Sequence, residues 1–171
     1  LFGASLLLVK KEDELNPEKV LHLIEHYHVT RSFLIPKWIE QIAYQDKSGS
    51  FDLSSLRILG SGGESIKPYL VQNLLKKYPD LKILNLYGPT ETTMFTTCKL
   101  VSLDDSKSNF ITIGRPIFGS RLAVVNSDLE FLPPNTEGEL IVYEDSSSIK
   151  NIAKGYLNLP AQTENKFVSV Y

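Results

Sequence analysis

Apolar residues recur along this chain with two spacings, one suited to strands and one to helices. Ala4 to Val9 is a short apolar run of strand length. Asn16 fits a helix N-cap and Pro17 the first helical position. Val20, Leu21, Ile24 and Tyr27 then follow at helical spacing, which predicts a buried helix face. Val29 to Ile35 reads as a second strand, stopped by Pro36, and a short helix carrying Trp38, Ile39 and Ile42 comes next. The segment KSGSFD is a loop. Leu56 to Leu59 is a third strand that runs into the glycine-rich GSGGES. A helix from about Lys67 to Tyr78 leads to a fourth strand, Leu81 to Leu86, which ends at the turn YGPTE. Strands alternating with helices at this spacing imply right-handed crossovers and a parallel sheet.

The pattern changes in the second half. Thr97 to Val101, Arg121 to Val125 and Glu139 to Tyr143 read as short strands, separated by the turn clusters DDSKS, PPNTEG and EDSSS. This predicts antiparallel β structure of a barrel-like kind. The organisation expected is an α/β segment over 1–100, a parallel sheet with flanking helices, followed by a β-rich segment over 101–171.

Composition narrows the class. The chain has 171 residues, 42% hydrophobic, 22% charged and 10% aromatic, with a formal net charge of -2. These are values of a folded protein rather than a disordered one. Lys and Arg are scattered, so no basic stripe points to nucleic acid. The longest apolar run is far shorter than the roughly 20 residues that cross a bilayer, and nothing reads as a signal peptide. Cys98 is the single cysteine. It can form no internal disulfide, which favours a reducing cytoplasm. The chain opens in strand-like sequence at Leu1, and Phe167 to Tyr171 reads as an interrupted strand, so both ends read as cut.

In an open parallel sheet, ligands bind beyond the carboxyl ends of the strands. Two loops fall at such ends, GSGGES and NLYGPTETT, and strands joined through one helix are expected to be neighbours. Adjacent glycines in GSGGES permit positive φ and close approach of a ligand to backbone. The string is not a P-loop, since no GKS or GKT follows, and it also reads as an ordinary strand-to-helix turn. In NLYGPTETT, Tyr87 offers a ring for stacking on a planar base. Thr90 and Glu91 bring a hydroxyl and a carboxylate together, a combination that suits a phosphate oxygen and Mg²⁺. The same residues also read as a capped turn. His22-Leu23-Ile24-Glu25-His26 matches an H-x-x-E-H metal pattern. Its His22, Glu25 and His26 lie largely off the predicted buried face, so a solvated helix face is the preferred reading. Cys98 sits in a strand-like run and reads as packed rather than nucleophilic.

The ordered series FDLSSLRILGSGGESIKP, ILNLYGPTETT, ITIGRPIFGSRLAVVNSDLEFLPPNTEGELIV and AKGYLNLPAQTENKF resembles the central part of nonribosomal peptide synthetase adenylation domains. These belong to the superfamily of acyl-adenylate-forming, AMP-dependent ligases. The resemblance implies an enzyme that activates an amino acid with ATP and Mg²⁺ and loads it onto the phosphopantetheine arm of a peptidyl carrier protein beside neighbouring synthetase modules. It implies roles for single residues too. Asn85 matches the position bonding the adenine amino group, and Tyr87 the ring stacked on adenine. Gly62, Gly63 and Glu64 match the loop beside adenine and the acyl group. Thr90 matches a phosphate-contacting hydroxyl and Glu91 the Mg²⁺ ligand, and these two are the catalytic candidates. Substrate-pocket positions fall on Phe33, Leu59, Ser61, Leu86, Met94 and Phe95, a lining that is apolar except for Ser61.

There are departures. The family's phosphate loop, the aspartate that holds the substrate amino group, the ribose-binding aspartate and the lid lysine have no counterpart between Leu1 and Tyr171, so this segment alone is expected to be inactive. The stretch after GEL is about five residues longer than usual and lacks glycine. Two other functions stay open at this level: an acyl-CoA or acyl-carrier ligase, and a non-catalytic module that binds a nucleotide or a partner.

Overall fold

The computed structural model describes residues 3–45, 51–117, 119–145 and 150–169. Its elements run α1 (Pro17–His26), β1 (Arg31–Phe33), α2 (Pro36–Gln45), β2 (Ile58–Gly62), α3 (Pro68–Lys77), β3 (Lys82–Tyr87), β4 (Thr97–Val101), β5 (Arg115–Pro116), β6 (Arg121–Val125), β7 (Glu139–Tyr143) and α4 (Pro160–Lys166). Five strands form a sheet in the order β1-β2-β3-β4-β5, and β6 and β7 form a second, two-stranded sheet. The first sheet is mixed: β1 and β2 are parallel, β4 and β5 antiparallel.

The helices start where local chemistry dictates. Asn16 caps α1 by accepting the Lys19 backbone N–H at 3.2 Å, and Pro17 occupies the first turn. Pro68 opens α3, while Lys76 and Lys77 sit in its last turn, where cations complement the free carbonyls. On α1, Leu21 and Ile24 are buried as the spacing predicts, but Tyr27 is 57% exposed. It is the C-cap, where the helical rotation ends, and its ring stands edge-on against His26 at 4.7 Å.

Two compact units divide the chain: Leu1–Asn85 with Leu100–Thr112, and Leu86–Lys99 with Ile113–Tyr171. The first unit holds an apolar core built from α2, α3 and the buried strands, with Ile39, Ile66, Val71 and Ile83 each at most 1% exposed. A smaller cluster joins Leu21 and Ile24 of α1 to Ile42 and Leu53. Burial of such side chains stabilises by about 1.5–3 kcal/mol each. The second unit is organised differently. Among its described residues Val125 is the one buried apolar side chain, so hydrogen bonds and close backbone packing carry more of its order.

Several sequence expectations need correction. Ala4 to Val9 forms no strand, and Leu6 and Leu8 are 67% and 79% exposed. Apolar composition favours a strand only where a neighbouring edge supplies hydrogen bonds. The strand expected over Val29 to Ile35 shrinks to Arg31–Phe33. Gly60, Ser61 and Gly62 belong to β2 rather than to a loop, in the register Phe33↔Gly60. Leu59 to Gly62 are all buried, and small residues suit a strand that is covered on both faces. The strands expected at Thr97 to Val101, Arg121 to Val125 and Glu139 to Tyr143 occur with those bounds. They close no barrel among the described residues. β6 and β7 pair only with each other in their sheet, from Arg121↔Tyr143 to Val125↔Glu139, with an added Val125↔Phe131 bridge. A barrel needs every strand to have two neighbours.

Candidate functional site

In the first unit, the candidate residues lie along β2 and at the end of β3. Phe33 on β1 is 47% exposed, whereas Leu59 and Ser61 on β2 are 3% and 0% exposed. Leu59 is part of the apolar core. The Ser61 hydroxyl is buried without a hydrogen-bond partner, an uncommon condition that costs about 1–3 kcal/mol unless a ligand or water relieves it. β2 ends at Gly62, and Gly63 just after it turns the chain with a φ of +86°. A side chain would meet only Ile35 at 3.8 Å there, so the backbone angle rather than space selects glycine. Glu64 follows, exposed.

Asn85 is 5% exposed, and its Nδ2 donates to the Thr112 carbonyl at 2.9 Å. A carbonyl accepts but cannot donate, so this bond fixes which way the amide faces and commits its nitrogen. The group left for an incoming donor, such as an amino group, is Oδ1. A cavity of about 1500 Å³ also opens in this unit, lined by Ser5 to Leu7, Val29 to Ile35 and Trp38 among others. Of the predicted site residues it takes in Phe33 alone.

In the second unit, one closed loop carries Tyr87, Thr90, Glu91, Met94 and Phe95. Tyr87 is the last residue of β3 and 36% exposed. Thr90 to Thr92 form a single 3₁₀ turn, closed by the Thr92 hydroxyl donating to the Pro89 carbonyl at 2.9 Å. Thr93 and Met94 then both take positive φ, 63° and 105°. Such angles are costly for residues other than glycine and recur where a site holds its chain in a set shape. The loop is tied at its neck, where the Thr96 N–H donates to the Tyr87 carbonyl at 2.8 Å. Gly88 is required at this neck: a Cβ there would lie 2.2 Å from the Met94 carbonyl oxygen. Met94 is 64% exposed, and Leu86 and Phe95 are half-buried.

Glu91 is half-buried and heavily engaged. Its carboxylate accepts a hydrogen bond from the Tyr156 hydroxyl, and its backbone carbonyl accepts the Ala153 N–H at 2.6 Å. The Tyr156 hydroxyl, then Glu91's own backbone N–H and the nearby Lys166 cation, hold the carboxyl below its ordinary value. Glu91 is therefore ionised at neutral pH, as a metal ligand must be. The same hydrogen bond pushes the Tyr156 phenol up. A lone carboxylate beside a threonine hydroxyl is a hard-oxygen donor set of the kind Mg²⁺ accepts, since that ion is commonly held by one or two carboxylates together with phosphates.

Tyr156 carried no predicted role. Its signal in the sequence was its place in AKGYL, inside the matched series. The IGRP and GEL glycines are also explained here. Gly114 has φ +84°, and a Cβ would meet the Cys98 carbonyl oxygen at 2.3 Å; at Gly138 it would meet the Val125 carbonyl oxygen at 2.4 Å. Cys98 is half-buried, and desolvation pushes its thiol up, away from nucleophilic character. In HLIEH, Glu25 accepts the Asp52 N–H at 2.9 Å, and His22 packs edge-on to Phe51 at 4.9 Å. These side chains serve packing and loop attachment. No described helix is long and apolar enough to cross a membrane.

The AMP-binding enzyme family matches residues 1–157. The chain is 38% identical over 98% of its length to tyrocidine synthase 3 of Brevibacillus parabrevis, and 33% identical over 98% to gramicidin S synthase 2 of Aneurinibacillus migulanus. It spans only 2% and 4% of those relatives. Among solved structures, a nonribosomal peptide synthetase protein containing adenylation and PCP domains superposes with a TM-score of 0.79 at 28% identity, over 93% of this chain and 31% of that one. The AMPPNP-bound form of the synthetase FmoA3 superposes at 0.80 and 28% identity, over 91% of this chain and 16% of that one.

Proposed function

The chain belongs to the AMP-binding enzyme family, and from that membership we propose that it is part of an adenylation domain that activates an amino acid for nonribosomal peptide synthesis. The observation that carries this reading is the closed Tyr87–Thr96 loop, which presents an aromatic ring at a strand end and an ionised carboxylate four residues later. The reaction joins a substrate carboxylate oxygen to the α-phosphorus of ATP, while the bond from that phosphorus to pyrophosphate breaks. Mg²⁺, when bound, offsets the phosphate charge that grows in the transition state.

This chain's own residues hold and orient. Tyr87 stacks on the adenine, and Asn85 accepts from the adenine amino group through Oδ1. Gly62, Gly63 and Glu64 border the adenine and the acyl group. Thr90 donates to a phosphate oxygen, and Glu91 ligates the metal. Phe33, Leu59, Ser61, Leu86, Met94 and Phe95 shape the side-chain pocket, and the unpartnered Ser61 hydroxyl supports a polar contact there. The adenylate then passes to the phosphopantetheine thiol of a carrier protein. The relatives named as peptide synthases support this partner, and the lone cysteine supports a reducing, cytoplasmic setting.

Pyrophosphate exchange into ATP by the full-length protein, across amino acids and simple carboxylic acids, tests the reading. Exchange with one amino acid is the expected result. Exchange with non-amino acids alone moves the function to an acyl ligase. No exchange from folded protein overturns the catalytic reading.

A further inference from the structure

The segment 150–156 is strapped onto the loop that bears Glu91. The Ala153 N–H donates to the Glu91 carbonyl at 2.6 Å, and the Thr93 hydroxyl donates to the Asn151 carbonyl at 3.1 Å. Glu144 anchors the start of the strap by accepting the N–H groups of Asn151 and Ile152 at 2.8 and 2.9 Å. The strap therefore adds backbone support to the strained Thr93-Met94 stretch, where two successive positive φ angles would otherwise relax.

Tyr156 closes the strap, and its own geometry is fixed from below. Its N–H donates to the Thr163 hydroxyl at 2.8 Å, and that hydroxyl donates onward to the Leu159 carbonyl at 3.0 Å. Its ring meets Phe167 edge-on at 5.5 Å. Gly155 permits the approach: its φ is +142°, and a Cβ there would lie 2.4 Å from the Thr163 methyl. A ring held at its backbone and along its side has one hydroxyl position to offer, and that position meets Glu91. A phenol donates one hydrogen, so it engages one carboxylate oxygen and leaves the other to act as a ligand.

We propose that Tyr156 is a positioning residue for the metal site: its hydroxyl sets the rotamer of the Glu91 carboxylate, so that the carboxylate meets Mg²⁺ already oriented. This inference rests on the reading of Glu91 as the metal ligand. A carboxylate that must find its rotamer on binding loses side-chain entropy at that moment, and the tyrosine bond removes this cost in advance. Tyr156→Phe keeps the ring and its contact with Phe167 and deletes only the bond to Glu91.

The test uses the full-length protein and two variants, Tyr156→Phe and Glu91→Ala. Two quantities are read: the Mg²⁺ concentration giving half-maximal pyrophosphate exchange, and the Mg²⁺ dependence of binding of a non-hydrolysable ATP analogue measured by calorimetry. The expected result for Tyr156→Phe is a half-maximal Mg²⁺ concentration raised about 3- to 10-fold in both, with saturating Mg²⁺ restoring most of the exchange rate and thermal unfolding little changed. Glu91→Ala should weaken the Mg²⁺ dependence of binding far more, with no recovery of exchange at high Mg²⁺. If Glu91→Ala binds the magnesium-analogue complex as the parent does, the ligand reading falls, and the positioning role with it. If Glu91→Ala behaves as expected while Tyr156→Phe responds to Mg²⁺ as the parent does, the positioning role alone is overturned. A Tyr156→Phe protein whose exchange falls equally at all Mg²⁺ concentrations also overturns it, because that pattern marks a structural role.

Discussion

Tyr156 donates its phenolic hydrogen to the carboxylate of Glu91 across 65 residues of sequence. The bond joins AKGYL to YGPTETT, two motifs that a linear reading treats separately. It also lowers the Glu91 carboxyl below its ordinary value, on a loop where Thr93 and Met94 carry strained backbone angles.

Glu91→Ala in the full-length protein should lower pyrophosphate exchange on the order of 10²-fold or more, because it removes a group that acts on charge developing in the transition state. Steady-state exchange at saturating amino acid checks this. A rate within a few-fold of the parent's would remove Glu91 from the mechanism.

Asn85→Asp should cost about 1–3 kcal/mol of stability. The substitution replaces the Nδ2 donor, now bonded to Thr112 at 2.9 Å, with an acceptor oxygen facing a carbonyl at a site only 5% exposed. Urea unfolding of the full-length protein measures the loss, and affinity for ATP should fall with it.

Gly114→Ala should destabilise by about 1–3 kcal/mol from backbone strain alone, and by more once the clash is added. Its φ is +84°, and the new methyl would lie 2.3 Å from the Cys98 carbonyl oxygen. The expected observable is a lower Tm with loss of the β4–β5 pairing at Cys98↔Arg115. An unchanged Tm would mean that the IGRP turn is not held as described.

The strap anchor should respond to acid. The Ile152 N–H, together with Lys150 and the Asn151 N–H, holds Glu144 below its ordinary value of 4.5. A carboxylate lowered in the folded state contributes stability that is present above its unfolded pKa and lost as pH falls through the folded one. Thermal unfolding of the parent and of Glu144→Gln should therefore differ slightly near neutral pH and converge as the pH falls from the ordinary value of 4.5 through the lowered folded one. A difference that persists or grows in acid would contradict the ionised anchor.

The sequence by itself determined the local decisions of this protein. Asn16 and Pro17 started a helix, short strand-like runs between turn clusters set the bounds of Thr97 to Val101, Arg121 to Val125 and Glu139 to Tyr143, and the ordered motifs identified the family. These signals are short-range: capping, period and turn chemistry act within a few residues. Tertiary structure decided whatever depended on a partner far away in the chain. Ala4 to Val9 has strand composition but forms no ladder, because a ladder needs an edge to pair with. Gly60 to Gly62 joined a strand although glycine disfavours one, because Phe33 supplied the register and burial favoured small residues. The β-rich segment closed no barrel among the described residues, since short strand-like runs between turns specify strands but not how many neighbours each one finds. The contact between Tyr156 and Glu91 lay beyond the sequence for the same reason: no local pattern encodes which carboxylate a distant hydroxyl will meet once the chain has folded.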